Sequence, residues 1–233
     1  MSVIVRPARP GDEVQCQKVM NDVKNLKWLG GFTMLEELNA RVRKQEESGM
    51  VTLMVLERDG EVVGTSEIGP GQHYTKMGLV AVDPRYRDFD PTSPAEKRLG
   101  YGSAMYASHA MRAALEGKLF LLDQTHWLNQ TMELYLAKIN FEPAEVELRQ
   151  RARNFCSLKF WRWPLAERNL DDWIELMNKR SDGGIEFEIP DSPKYEEVFK
   201  KQVDDLEKFG KGDLIPQLCA NRAQALQRLR RGR

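Results

Sequence analysis

One stretch, Gly78 to Gly117, limits most tightly what this chain can become. Leu79, Val80 and Val82 are apolar and β-compatible, and Asp83-Pro84 closes the run, so a strand is expected there. Met105, Ala107, Ala110, Met111 and Leu115 then recur at helical spacing, with Gly117 as a stop. Between strand and helix lies Lys97-Arg98-Leu99-Gly100-Tyr101-Gly102-Ser103, a glycine-rich turn at a helix N-terminus. Such a turn lets backbone N–H groups approach phosphate oxygens, and the helix dipole and basic side chains favour the anion. The turn is too short for the dinucleotide fingerprint and lacks the Lys-Ser/Thr ending of a P-loop.

The 233 residues suffice for one good core and a small appendage. Thirty-five basic and 35 acidic residues cancel, so the charge of the whole chain predicts no polyanion partner. No apolar run approaches the ~20 residues of a membrane span, and the N-terminus lacks a signal peptide's apolar core. Cys16, Cys156 and Cys219 are far apart, with no CxxC and no nearby His pair. They predict a reducing, cytoplasmic setting with neither disulfides nor a metal site, and no membrane partner.

Taken in order, Val3–Pro7 reads as a strand, and Asp12 caps a helix facing the core with Val14, Val19, Met20, Val23 and Leu26. A second helix runs from about Met34 to Gly49, with Leu35, Leu38 and Val42 inward. Val51–Arg58 and Glu61–Ile68 form a hairpin through Asp59-Gly60, and Gly69-Pro70-Gly71-Gln72 breaks the second strand before His73. Lys118–Asp123 is a buried parallel-type strand, and Asn129 starts a helix through Lys138 that ends at Asn140. Phe141–Glu147 and Asn154–Trp163 are the next strands. The latter sets Cys156, Leu158 and Phe160 against Lys159, Trp161 and Trp163. Beyond Pro164 come a helix near Leu165–Arg180, a strand Ile185–Ile189, and helices Ser192–Phe209 and Asp213–Arg231. Arg222, Arg228, Arg230, Arg231 and Arg233 have no acid among them. They read as a frayed, solvated terminus, with a nucleic-acid contact as the alternative.

Val82-Asp83-Pro84-x-Tyr86-Arg87, followed by Lys97-x-x-Gly100-x-Gly102-x-Ala104, resembles the acetyl-CoA pyrophosphate loop of the GCN5-related N-acetyltransferases, the GNAT superfamily. The opening IVRPARPGDE and the order βααβββαβαββ over residues 1–163 are similar to that family too. The resemblance implies an α/β (α+β) fold: a mixed central sheet of about seven strands flanked by helices. It implies a family domain over 1–163 and a mostly helical extension over 164–233. It further implies that the Leu79–Val82 strand bulges and splays from its parallel neighbour, so that acetyl-CoA's pantetheine arm pairs with Val80, Ala81 and Val82. Arg87, Lys97, Arg98, Leu99, Gly100, Tyr101, Gly102, Ser103 and Asn129 are then the other cofactor contacts. A nine-residue insert, Asp88 to Glu96, departs from the family pattern and reads as a surface loop near the cofactor mouth.

The implied activity moves acetyl from acetyl-CoA to a primary amine by direct attack through a tetrahedral intermediate, with no metal. A lysine-like amine has a pKa near ~10.4, so a base must take its proton. Glu67 is the first choice. His73, Asp123 and His126 are the alternatives: His73 titrates in the right range, and the other two follow a parallel strand. The family acid is a tyrosine in Asn-x-x-Ala-x-x-Leu-Tyr-x-Lys-x-Gly-Phe. Aligning Asn129, Lys138 and Phe141 with that pattern puts Leu136 in the tyrosine slot, so Tyr135 falls one residue early, about 100° around the helix. Trp28, Phe32 and Tyr74 are expected to line the acceptor site. The acceptor class, a small-molecule or a protein amine, is not specified, and a homodimer stays open. Two alternatives use the same fold: a degenerate CoA-binding protein, or a transferase modifying an amine in nucleic acid.

Overall fold

The computed structural model describes residues 2–29, 32–69, 71–86, 100–126, 129–144, 158–178, 185–190 and 192–231. Strand β1 (Val3–Pro7) leads to three short helices, α1 (Glu13–Met20), α2 (Val23–Leu29) and α3 (Leu35–Ser48). The expected first helix is therefore two, and Val14 and Val23 are exposed rather than inward. The break has a local cause. Asp22 accepts a hydrogen bond from the Lys24 amide at 2.9 Å, starting a new helix and resetting the periodicity. Asp12 precedes α1 but does not cap it with its side chain. Its carboxylate instead binds the Arg6 guanidinium and the Arg9 amide, both at 2.7 Å.

Strands β2 (Leu53–Arg58) and β3 (Glu61–Gly69) form the expected hairpin, with positive φ at both Asp59 and Gly60. Strand β4 (Tyr74–Val82), a 3-10 turn (Pro84–Tyr86), helix α4 (Tyr101–Leu115) and strand β5 (Phe120–His126) make up the strand–turn–helix centre. Helix α5 (Gln130–Lys138) ends at Asn140 in the left-handed conformation, φ 64°. Strands β6 (Glu142–Ala144) and β7 (Leu158–Trp163) follow, then α6 (Leu170–Asn178), β8 (Ile185–Phe187), α7 (Pro193–Lys208) and α8 (Ile215–Arg231).

The strands form one mixed eight-stranded sheet in the order β6-β7-β5-β4-β3-β2-β1-β8. The strand beyond the expected seven is β8, which pairs in parallel with β1 from Val3↔Ile185 to Val5↔Phe187. Side chains alternate between the two faces. Thr65, Glu67, Leu79 and Ala81 face α1 and α3, where Cys16, Val19, Met20, Leu38 and Val42 pack. Ser66, Ile68, Met77, Val80 and Val82 face α4, whose residues from Ser103 to Leu115 are all buried.

Helix α8 packs on α4 with Leu218 and Ala225 buried. Asn221 fixes it: its amide donates to Leu165 O at 2.7 Å and Arg168 O at 3.0 Å, and its carbonyl accepts from the Leu170 amide at 3.0 Å. The arginine stretch up to residue 231 is thus a docked helix and not a frayed end. Arg222 bonds Glu196 and covers the Phe199 ring, and Arg228 bonds Asp171.

Candidate active site

Strands β4 and β5 begin as a parallel pair but keep company for three residues only: Tyr74↔Phe120, Thr75↔Leu121 and Lys76↔Leu122. After that β4 continues along β3, while Asp123–His126 continue along β7. Beyond Lys76 no described strand pairs with β4 on its β5 side, so a gap opens toward the C-terminal ends of both strands. A bulge lies at its edge. Ser66 pairs with Val80 and Ile68 with Met77, so Glu67 alone opposes Gly78 and Leu79. Gly78 has a steric reason: a Cβ there would lie 2.7 Å from Glu67 Cβ and 3.0 Å from its carbonyl oxygen.

The same gap is bordered by the N-terminus of α4. Gly100 occupies the cap position at φ 64° and brings no side chain, so no side-chain cap satisfies the first-turn amides. A Cβ on Gly102 would meet nothing within 4 Å, which leaves open space beside those amides. Uncapped amides, a helix dipole and free space fit a pyrophosphate. Tyr101 offers this turn its backbone alone, since its ring is buried toward Tyr86 with centroids 6.1 Å apart. Arg87, Lys97, Arg98, Leu99 and the 88–96 insert lie outside the described residues.

On the α3 side of the gap, the Glu67 side chain is 13% exposed and pairs with Arg41 at 3.0 Å. Burial pushes its carboxyl pKa up, and the Arg41 guanidinium works against that shift. Lys76 and Tyr74 share this face, and the Tyr74 ring stacks on Phe120 at 5.5 Å. Phe32 is 73% exposed between α2 and α3, while the side chains of Trp28 and His126 lie outside what the structure describes.

On the α4 side, Tyr135 Oη lies 3.0 Å from Ser103 Oγ, and its ring meets Tyr106 edge-on at 5.6 Å. Tyr106 in turn donates a hydrogen bond to Asp123, whose other oxygen accepts from the Gln124 amide at 2.7 Å. Burial pushes the Asp123 carboxyl up to about 7 against those two bonds. Leu136, in the slot expected for a tyrosine, is fully buried, so Tyr135 is the residue that reaches the α4 turn. Asn129 caps α5 by accepting from the Met132 amide at 3.1 Å.

Other groups stand apart. His73 precedes β4 at the closed end of the gap and bonds Gln202 of α7 at 3.1 Å. Val80 and Val82 side chains pack toward α4 and Ala81 toward α1, and the Val82 carbonyl accepts from Asn25 Nδ2 at 3.3 Å. Two further residues, Arg41 and Lys76, border Glu67 and were not singled out from the sequence. Lys76 could have been found, because it follows Tyr74 at the period of two that defines a strand face. Arg41 lies in another helix and left no such signal. Among the described residues no cluster of His, Cys, Asp and Glu could hold a metal ion, and no helix is long and apolar enough to cross a membrane.

No protein-family model matches the chain, and no curated protein matches it. Solved structures do. An N-acetyltransferase from Staphylococcus aureus Mu50 superposes over 70% of this chain and 99% of its own, at 16% identity and TM-score 0.56. A GNAT-family acetyltransferase from Bacillus anthracis matches 70% of this chain and 95% of its own, at 14% identity and TM-score 0.52. The chain has the GNAT fold. N-acetylglutamate synthase from Neisseria gonorrhoeae, solved with coenzyme A and N-acetylglutamate, matches 71% of this chain and 35% of its own, at 18% identity and TM-score 0.52. About 30% of the chain lies outside the matched GNAT core.

Proposed function

We propose that this protein is an acyl-CoA-dependent N-acyltransferase that moves acetyl from acetyl-CoA to a primary amine. The observation that carries the reading is a coincidence of three features in one cleft. The strand gap, the bulge at Gly78 and the uncapped α4 N-terminus all meet beside Glu67 and Tyr135. Acetyl-CoA, when bound, supplies an acyl group activated as a thioester with a good leaving group.

The chain's own residues do the rest. First-turn amides of α4 at Tyr101, Gly102 and Ser103 bind the diphosphate, and the β5-facing side of β4 near Val80–Val82 holds the arm and donates a hydrogen bond to the acyl oxygen. Glu67 receives a proton from the acceptor ammonium. Its half-buried carboxylate has a raised pKa, which makes it a better match for that task at neutral pH. Tyr135 Oη holds the proton that the leaving group requires, and Ser103 Oγ orients it. Tyr106, locked to Asp123, supports the Tyr135 ring from behind.

Thermal unfolding with and without acetyl-CoA tests this, with Gly102→Glu as the control. The open space at Gly102 lets the variant fold, and its carboxylate takes the place of the diphosphate. At ~100 times Kd the wild type gains ~2.7 kcal/mol, which the variant loses. No gain in the folded wild type overturns the reading. A gain without acetylation of any amine leaves a CoA-binding protein.

A further inference from the structure

We infer that the acceptor is a small amine that also carries a carboxylate, in the manner of a free amino acid, with Lys76 as the carboxylate's partner. The inference rests on the acyltransferase reading above and specifies its substrate class.

Lys76 is the last residue of β4 before the gap, paired with Gly69 on one side and Leu122 on the other. Its side chain is half-buried and lies over Gly69, where a Cβ would come within 3.2 Å of Lys76 Cβ and 3.6 Å of its Cδ. The ammonium is near enough to Glu67 and Asp123 to favour the ionised form of both. It nonetheless forms no hydrogen bond or ion pair with a described residue.

The other lysine at this end of the sheet behaves differently. Lys118 donates to Gly71 O at 2.8 Å and Gln72 O at 3.2 Å, and lies 3.5 Å from Glu116. Lys76 thus has no ion-pair partner among the described residues, and the Glu67 carboxylate near it already pairs with Arg41. The closed end of the gap therefore offers two cations, Arg41 and Lys76, around one base. An amino acid matches this pattern: its ammonium is drawn to Glu67 and its carboxylate to Lys76. Tyr74 stacked on Phe120, with half-buried Leu122 beside them, gives its side chain an apolar wall.

The test measures thiol release by the full chain with acetyl-CoA. Its acceptors are the common amino acids, their amides, phenethylamine as decarboxylated phenylalanine, and short peptide amides. A charge-assisted hydrogen bond is worth roughly 1.5–3 kcal/mol, so an accepted amino acid should exceed its amide by about 10-fold or more in kcat/KM. Measured above the acid limb of the pH–rate profile, where Glu67 is ionised with or without the Lys76 charge, Lys76→Met should raise KM for that amino acid by about 10-fold and act far less on phenethylamine, and Lys76→Arg should restore much of the loss. Equal use of acid and amide, an equal effect of Lys76→Met on both, or turnover of the peptide amides alone overturns the inference while leaving the acyltransferase intact. Stabilisation by acetyl-CoA with no turnover of any probe overturns it too. Absence of that stabilisation removes the acyltransferase reading itself.

Discussion

The two sides of the β4/β5 gap are built from opposite materials. On the α3 side stand long charged side chains in partial contact with water: Glu67, Arg41 and Lys76. On the α4 side stand Tyr106, Asp123, Ser103 and Tyr135, tied by hydrogen bonds and ring contacts. Each side holds a carboxyl whose pKa burial pushes up, but only Glu67 has a cation in ion-pair contact to moderate the shift. A group that must take a proton and pass it to solvent needs that access. A group that only has to stay in place does not. In the proposed mechanism this difference gives proton transfer from the acceptor to Glu67 and positioning to Asp123.

The largest effect should come from Glu67→Gln, which removes the base. An acceptor turned over by the wild type should lose 10²–10⁴-fold in kcat/KM, roughly 3–5 kcal/mol, with no loss of thermal stability because a desolvated charge is also removed. If Asp123→Asn shows that loss and Glu67→Gln does not, the assignment is reversed.

Asp123 should instead govern stability. Its folded pKa of about 7 lies above the unfolded value near 3.8, so its contribution is full below pH ~4 and is lost as pH rises through 7. Between pH 5 and pH 8 the wild type should lose roughly 3 kcal/mol that Asp123→Asn keeps, as read from urea unfolding at those two pH values. Parallel behaviour of the two proteins would mean that Asp123 ionises normally.

Smaller effects sharpen the contrast. Tyr135→Phe should lower kcat by about 10²-fold, the low end of the range for a general acid. Arg41→Gln should act on the acid limb of the pH–rate profile. Arg41 favours ionised Glu67, so its loss raises the Glu67 pKa further and moves the acid limb to higher pH. Tyr135→Phe should leave that limb where it is.

Strand β4, the glycine turn and α4 were legible because each rests on local rules: β-compatible residues, glycine at positive φ, and helical spacing. The bulge at Gly78 was not, because it exists only as a register between two strands. Strand β8 was visible as a strand, yet nothing local announced its partner, which lies at the other end of the chain. The apolar period that ran through Val23 misled because Asp22 interrupts it with a side-chain hydrogen bond. Within the site, Glu67 and Tyr135 were named by resemblance. Arg41 and the Ser103–Tyr135 contact gain meaning only from packing, since a residue's partners across a fold leave no spacing to read.

The pairing of β8 with β1 also bears on how the chain is made. Val3 meets Ile185 across a span longer than the matched GNAT core, a very distant pairing in sequence. During synthesis the N-terminal strand can find β2 early, but its other edge stays bare until residue 187 has left the ribosome. A bare strand edge is a template for other chains. Nascent molecules stalled before that point should therefore be the sticky ones, and β8 acts as a late cover on the outer edge of β1.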